Sequence, residues 1–224
     1  MVKRYFKQIL FLIILIAVLV FGVKQYHEKK MYEEYISHVI TNNSQELIEG
    51  IVQTNTIYDE SLDNNELTSQ QLKLLSMYST DILQDFQYNL GLAQQFSLYA
   101  GDGDTEKIKE DLQEIDQFYN HLLNNELKTR ESEGMVYELD PTLKEKLTHI
   151  NELNKLWLDS IYTDIEEVSK HGDEFVFNTR QFQEKHGNNT ISSRIWIDIL
   201  IELSEIHKDY LNNNELFSIS EVLN

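Results

Sequence analysis

Cysteine is absent from all 224 residues. That excludes a disulfide framework, a thiolate metal site, a catalytic cysteine and a lipid-modified cysteine. It says little about the redox compartment, since exported proteins without disulfides are common. Proline occurs once and glycine eight times. An all-β fold needs many tight turns built from these residues, so their scarcity points to helices. Basic residues are few as well, 19 Lys and Arg against 38 Asp and Glu. All 38 acidic residues follow Lys24, together with 15 of the 19 basic ones, which leaves that part of the chain at −23. Such a body repels nucleic acid and anionic lipid surfaces, and no nucleic-acid partner is expected. Gly-x-Ser-x-Gly, His-Glu-x-x-His and Gly-x-x-x-x-Gly-Lys are also missing, so no hydrolase or nucleotide-binding signature is present.

What is present is one unbroken apolar run, Ile9 to Val23, ILFLIILIAVLVFGV. Lys3, Arg4 and Lys7 precede it and Lys24 closes it. Spanning hydrocarbon about 30 Å thick takes roughly 20 apolar helical residues, whereas 10–14 is typical of a signal-peptide core. Fifteen residues fall between. Tyr5 and Phe6 extend the apolar length if Lys7 snorkels to the headgroups. A cleaved signal needs a small-residue site after the run, and Val20-Phe21-Gly22 is a weak one. No Pro or Gly separates Val23 from the next segment. An uncleaved anchor is the leading expectation, ahead of a cleaved signal and of a buried core helix. Three basic residues flank the run on each side, the second set being Lys24, Lys29 and Lys30, so the positive-inside rule is a draw. Acidic residues beside the second flank and the short tail before the run tip it toward a cytoplasmic N-terminus. The expected organisation is residues 1–24 as cytoplasmic tail and anchor (or uncleaved signal) and residues 25–224 as one extracytoplasmic acidic helical domain.

Helical periodicity runs through that domain. Tyr26 to Tyr58 reads as a long amphipathic helix that could continue from the membrane run, with Asn42-Asn43-Ser44 as a bend or break and Asp59–Asn65 as the first loop. Thr68 with Gln71 forms a capping box for a second helix, with Leu75, Ile82, Phe86 and Leu90 on its stripe, which reaches Tyr99 and ends at Gly101-Asp102-Gly103-Asp104. A third helix starts at Asp104 or Thr105, and Thr129–Gly134 is a polar connection. Asp140-Pro141 opens a fourth as N-cap and N1, reaching past Val168 to His171-Gly172. Asp173 to Lys185 is expected as a short helix, His186–Asn189 as a break, and Thr190 as the cap of a last long helix. Ile195 to Leu203 also alternates like a strand, but its length and surroundings favour helix. The tail from Asn212 is ambiguous. Asn-Asn-Glu-Leu recurs at 64–67, 124–127 and 213–216, each time at or near a helix end, and reads as loop chemistry rather than a repeat.

Each candidate for chemistry has a plainer rival. Gly101–Asp104 invites calcium, yet counting from Asp102 puts Glu106, Lys107 and Gln113 at positions 5, 6 and 12, and an EF-hand needs a ligand, Gly and Glu there. A helix cap is the better reading. A di-metal bundle uses Glu-x-x-His, and none of the seven histidines has Glu three residues before it. Glu145/His149 and Glu167/His171 at i, i+4 read as surface pairs. Trp157 and Trp196 fall on core stripes, while Tyr26, Tyr32 and Tyr35 just past the run suit interfacial or partner contacts. Abundant Asn, Ile, Lys and Glu match the codon bias of an AT-rich bacterial genome.

The expected fold is all-α, a membrane-anchor helix followed by an antiparallel bundle of about five helices. No catalytic, cofactor-binding or metal-binding residue is assigned, no cofactor is expected, and no partner-binding residue is singled out. The expected function, by elimination, is non-enzymatic: a protein-binding or assembly component of the bacterial cell envelope. Its partners are the membrane, through Ile9–Val23, and another envelope protein. A small-ligand sensor ectodomain signalling through a partner is the alternative, and an unrecognised hydrolase the third. Convergent polar groups in a roomy interior would favour the sensor, and an ordered Ser/His/acid cluster in a cleft the enzyme.

Overall fold

A computed structural model describes residues 2–99, 101, 103–126, 135–172, 174–187 and 190–223. The protein is all-α, with seven α-helices and two small two-stranded sheets among the described residues, rather than about five helices alone. Helix α1, Val2–Asn64, is a single helix of 63 residues. Apolar side chains from Leu10 to Val23 are exposed, and burial starts at Ser37. From there Ile40, Leu47, Ile48, Ile51, Val52, Ile57 and Tyr58 are buried at helical spacing.

The bend expected at Asn42–Ser44 is absent, because buried polar residues there find partners along the helix and on the neighbouring α2. Thr41 donates its hydroxyl to the Ser37 carbonyl at 2.8 Å, and Ser44 accepts from Asn89 Nδ2 at 3.3 Å. Nor is Asp59–Asn65 a loop. Tyr58 and Ser61 are buried and hold the chain helical, while Asp59 meets Lys155 at 2.6 Å and Asn151 at 3.2 Å. The helix ends where Asn65 turns to φ 56°.

Strand β1, Glu66–Thr68, pairs antiparallel with β2, Val136–Glu138, matching Leu67 to Tyr137. Helix α2, Ser69–Gln95, carries the expected capping box: Gln71 N–H donates to Thr68 Oγ1 at 3.1 Å and Thr68 N–H to Gln71 Oε1 at 2.9 Å. It stops before the expected Gly101. Leu98 N–H returns to the Ala93 carbonyl at 2.9 Å, with Ser97 at φ 55°. Helix α3 is Gly103–Glu126, and the expected 129–134 connection lies outside the described residues.

Asp140 caps helix α4, Pro141–Asp164, accepting from Leu143 N–H at 2.9 Å. The helix stops sooner than its stripe suggests. Ile165 and Val168 are buried, but in extended chain that leads into the hairpin of β3, Val168–His171, and β4, Glu174–Phe177. Gly172 makes the turn at φ 67°, a backbone region few other residues enter cheaply. The expected helix over Asp173–Lys185 is therefore β4 followed by α5, Thr179–His186, capped by Asn178. Thr190 begins a 3₁₀ turn, Thr190–Ser192, instead of capping a helix. Its hydroxyl bonds Thr41 and the His186 carbonyl. Helix α6, Ile195–Asn213, starts after Arg194 with no side-chain cap, and α7, Ser220–Leu223, closes the fold.

The C-terminal part of α1, from Ser37, is the axis of the core. It packs against α2, α4, α5, α6, β1, β4 and the 3₁₀ turn. Polar side chains lock its neighbours to it. Thr54 donates to Asn154 Oδ1 at 3.1 Å, Asn154 Nδ2 donates to the Ile51 carbonyl at 3.0 Å, and Tyr119 donates to the Tyr58 hydroxyl at 2.8 Å. Trp157 and Trp196 are both buried, at 3% and 0% exposure. Trp157 donates Nε1–H to the Leu203 carbonyl at 3.2 Å, tying α4 to α6.

Candidate functional site

Two places gather chemistry that the sequence did not single out. The first is a buried cluster joining α3, α6 and the segment before α7. Asp111 and His207 have almost no exposed surface. His207 Nε2 lies 2.8 Å from Asp111 Oδ2, Ser218 Oγ donates to Asp111 Oδ1 at 2.6 Å, and Lys107 Nζ stands 3.6 Å from that same Oδ1. Trp157 stacks on the imidazole, with ring centroids 6.0 Å apart and planes 22° apart. Burial alone would raise the Asp111 carboxyl. The hydrogen bonds from His207 and Ser218, with the positive charge of His207 and Lys107, outweigh it and hold the group below its ordinary value. Ser, His and Asp thus come together, but in the wrong order for nucleophilic chemistry. The carboxylate sits between the other two, whereas a serine nucleophile needs the imidazole bonded to its own hydroxyl. This arrangement ties three chain segments together and does not activate Ser218. A trace of it is visible in the sequence: Asp111 follows Ile108 by three, and His207 follows Leu203 by four, on the apolar stripes of their helices.

The second is a cleft of about 570 Å³ between the end of α4 and the start of α6. Ser160 and Asp164 line one wall, Arg194, Asp198 and Glu202 the other. Both walls follow from amphipathic faces, since Ile161, Ile199 and Leu203 pack at the base and the polar residues one step round each helix face the opening. Ser160 donates to Glu202 Oε2 at 2.8 Å, and Arg194 Nε approaches Asp198 Oδ1 to 3.6 Å. Burial, then a hydrogen bond with Asp164, then repulsion from Asp164 and Asp198, raise the Glu202 carboxyl above its ordinary value.

The residues weighed from sequence fall elsewhere. Gly101 takes φ 69°, Asp104 pairs with Lys208 at 2.6 Å, and Asp102 lies outside the described residues. His149 meets Tyr210 Oη at 2.8 Å. Glu167 and His171 share no helix face, contrary to the i, i+4 reading. Glu167 is buried beside Lys185 at 3.0 Å and His186 at 3.8 Å, and His171 ends β3. Among the described residues no three His, Asp or Glu side chains converge to hold a metal ion. Tyr26, Tyr32 and Tyr35 are exposed on α1.

No family model, curated protein or solved structure matches the chain.

Proposed function

We propose that the chain is held in a membrane through Ile9–Val23 and presents residues 25–224 outside the cytoplasm as a helical body that binds another protein of the bacterial cell envelope, without catalysing a reaction. One observation carries the anchor. The large apolar side chains from Leu10 to Val23 stand 44–68% exposed, with nothing of the body packed on them. In water that much contiguous apolar surface is unfavourable, whereas hydrocarbon accommodates it. The helix starts at Val2, so Val2–Val23 reaches about 33 Å at 1.5 Å per residue, enough for the hydrocarbon core. Protein binding is supported by the continuous buried hydrophobic core and by the Ser218–Asp111–His207 cluster, whose bonding order serves structure. Photo-crosslinkers at exposed Met77, Tyr88 and Phe217, in native membranes, test it. A discrete adduct with one envelope protein, formed from one face of the body, is expected. Uniformly absent adducts from all faces would count against the proposal.

The cleft between α4 and α6 favours a second reading, a small-ligand sensor. Its volume falls in the range of small-molecule pockets, and Asp164, Asp198 and Glu202 suit a cationic ligand. Thermal-shift screening of amines, with Glu202→Gln as control, tests this. A shift abolished by that change supports the sensor.

A further inference from the structure

We infer that residues 24–36 form a rigid spacer that holds the acidic body about 20 Å clear of the membrane surface, so that what the body binds stands at that height and is not lipid. The inference rests on the membrane anchor proposed above. From Lys24 to Tyr35 every residue is exposed except Glu28, which is half-buried, and the first buried residue is Ser37. No element packs on this stretch, yet it is helical without a break. An isolated helix this short is marginal in water, because starting a helix is costly and its ends fray. Here neither end is free, since the lower continues into the apolar run and the upper into the core.

Between those ends the helix carries its own struts. Lys24–Glu28, Lys29–Glu33 and Lys30–Glu34 are i, i+4 pairs at 3.6, 3.4 and 3.7 Å. Lysine before glutamate is the weaker order, and each such pair contributes little. Together they cover successive turns, and they leave the stretch neutral, with three basic and three acidic residues. Beyond it the chain carries 13 basic and 35 acidic residues, a net of −22. An anionic membrane would repel such a body brought against its surface. At about 20 Å the body stands more than two Debye lengths away at physiological salt, where that field is screened. Height also separates the three tyrosines. Tyr26 lies at headgroup level, whereas Tyr32 and Tyr35 lie roughly 12–17 Å above Lys24 at 1.5 Å per residue, out of reach of the interface.

The chain has no cysteine, so a single one can carry a label. The experiment places a donor dye on His38→Cys, an exposed position at the top of the spacer, in the full chain in phosphatidylcholine vesicles containing acceptor-labelled lipid. With a short-range donor–acceptor pair, whose half-transfer distance lies between about 10 and 20 Å, weak transfer corresponding to about 20 Å is expected. Deleting Lys29–Tyr35 removes two turns, and transfer should rise as the dye drops by about 10 Å. Replacing those seven residues with Gly and Ser should broaden the distances and shorten their mean. Transfer as strong in the parent as in the deletion, or unchanged by it, overturns the spacer while leaving the anchor intact. A chain that fails to float with the vesicles overturns both.

Discussion

Trp157 and Trp196 show how far a single residue can be read. Each occupies a stripe of aliphatic residues at helical spacing, and both are buried, Trp157 with a hydrogen bond that ties α4 to α6. Trp157→Ala and Trp196→Ala should each cost about 3–5 kcal/mol in chemical denaturation, and a near-neutral result at either position would defeat its core assignment. Charged residues on such stripes hide better. Asp85 lies one step from Phe86 on α2 and is 8% exposed, with Oδ2 unpaired among the described residues. Burial, then repulsion from Glu46 and Asp81, raises its carboxyl to about 7. The unfolded chain loses that proton near pH 4 while the folded one keeps it, so stability falls as pH rises from 4 toward 7 and stays lowered above. Asp85→Asn removes the charge and nearly keeps the shape. It should stabilise the protein by up to about 4 kcal/mol at pH 8 and make little difference at pH 4, judged by urea midpoints at the two pH values. Equal gains at both would mean that the effect is not the charge. Asp85 follows Ile82 by three, so periodicity places it near the apolar stripe, but polarity argues for the solvent face and only the packed neighbour helix decides between them.

Caps are legible at the scale of the element because their chemistry is local. Thr68 with Gln71 and Asp140 with Pro141 start α2 and α4 where the sequence puts them. Thr68→Ala and Asp140→Ala should each lower stability by about 1 kcal/mol, seen as a shift in denaturation midpoint, and an unchanged midpoint would defeat the cap assignment at that position. The Asn-Asn-Glu-Leu copies behave as stop signals in two places. Asn65 takes φ 56° and Glu215 φ 55°, and each is followed by a leucine turned back toward the core. The strands resisted reading for two reasons. Leu67 pairs with Tyr137 seventy residues later, and three-residue strands carry no pattern of their own. In the hairpin Ile165 and Val168 keep helical spacing while the backbone is already extended, so periodicity alone continued α4 through them. Gly172 and the Phe175-Val176-Phe177 run were the available signals against it.

Across the whole molecule, all-α content and the exposed apolar run follow from composition, but the unbroken α1 does not. It depends on Thr41, Ser44, Tyr58 and Ser61 finding partners or cover in other segments. Its exposed half contributes nothing to the core. Chains beginning at Gln25 and at Ile36 should therefore have equal folding stability within about 0.5 kcal/mol and helix-dominated circular dichroism. A chain beginning at Ile48 loses Ile40, Leu47 and the Thr41–Thr190 bond and should fail to fold cooperatively. A large gap between the first two would show that the exposed helix stabilises the body. The same feature sets an order of events during synthesis. α1 leaves the ribosome before the segments that cover it, and Thr41 meets Thr190 only after 149 further residues, roughly 7–30 s later at ordinary elongation rates. Through that interval the Ile40–Tyr58 stripe has only its nearest neighbours for cover, first α2 and then α4. The nascent chain is thus a sticky intermediate in which the α1 stripe stays partly uncovered until Thr190 arrives, and a chaperone that shields amphipathic helices would find it open throughout that interval.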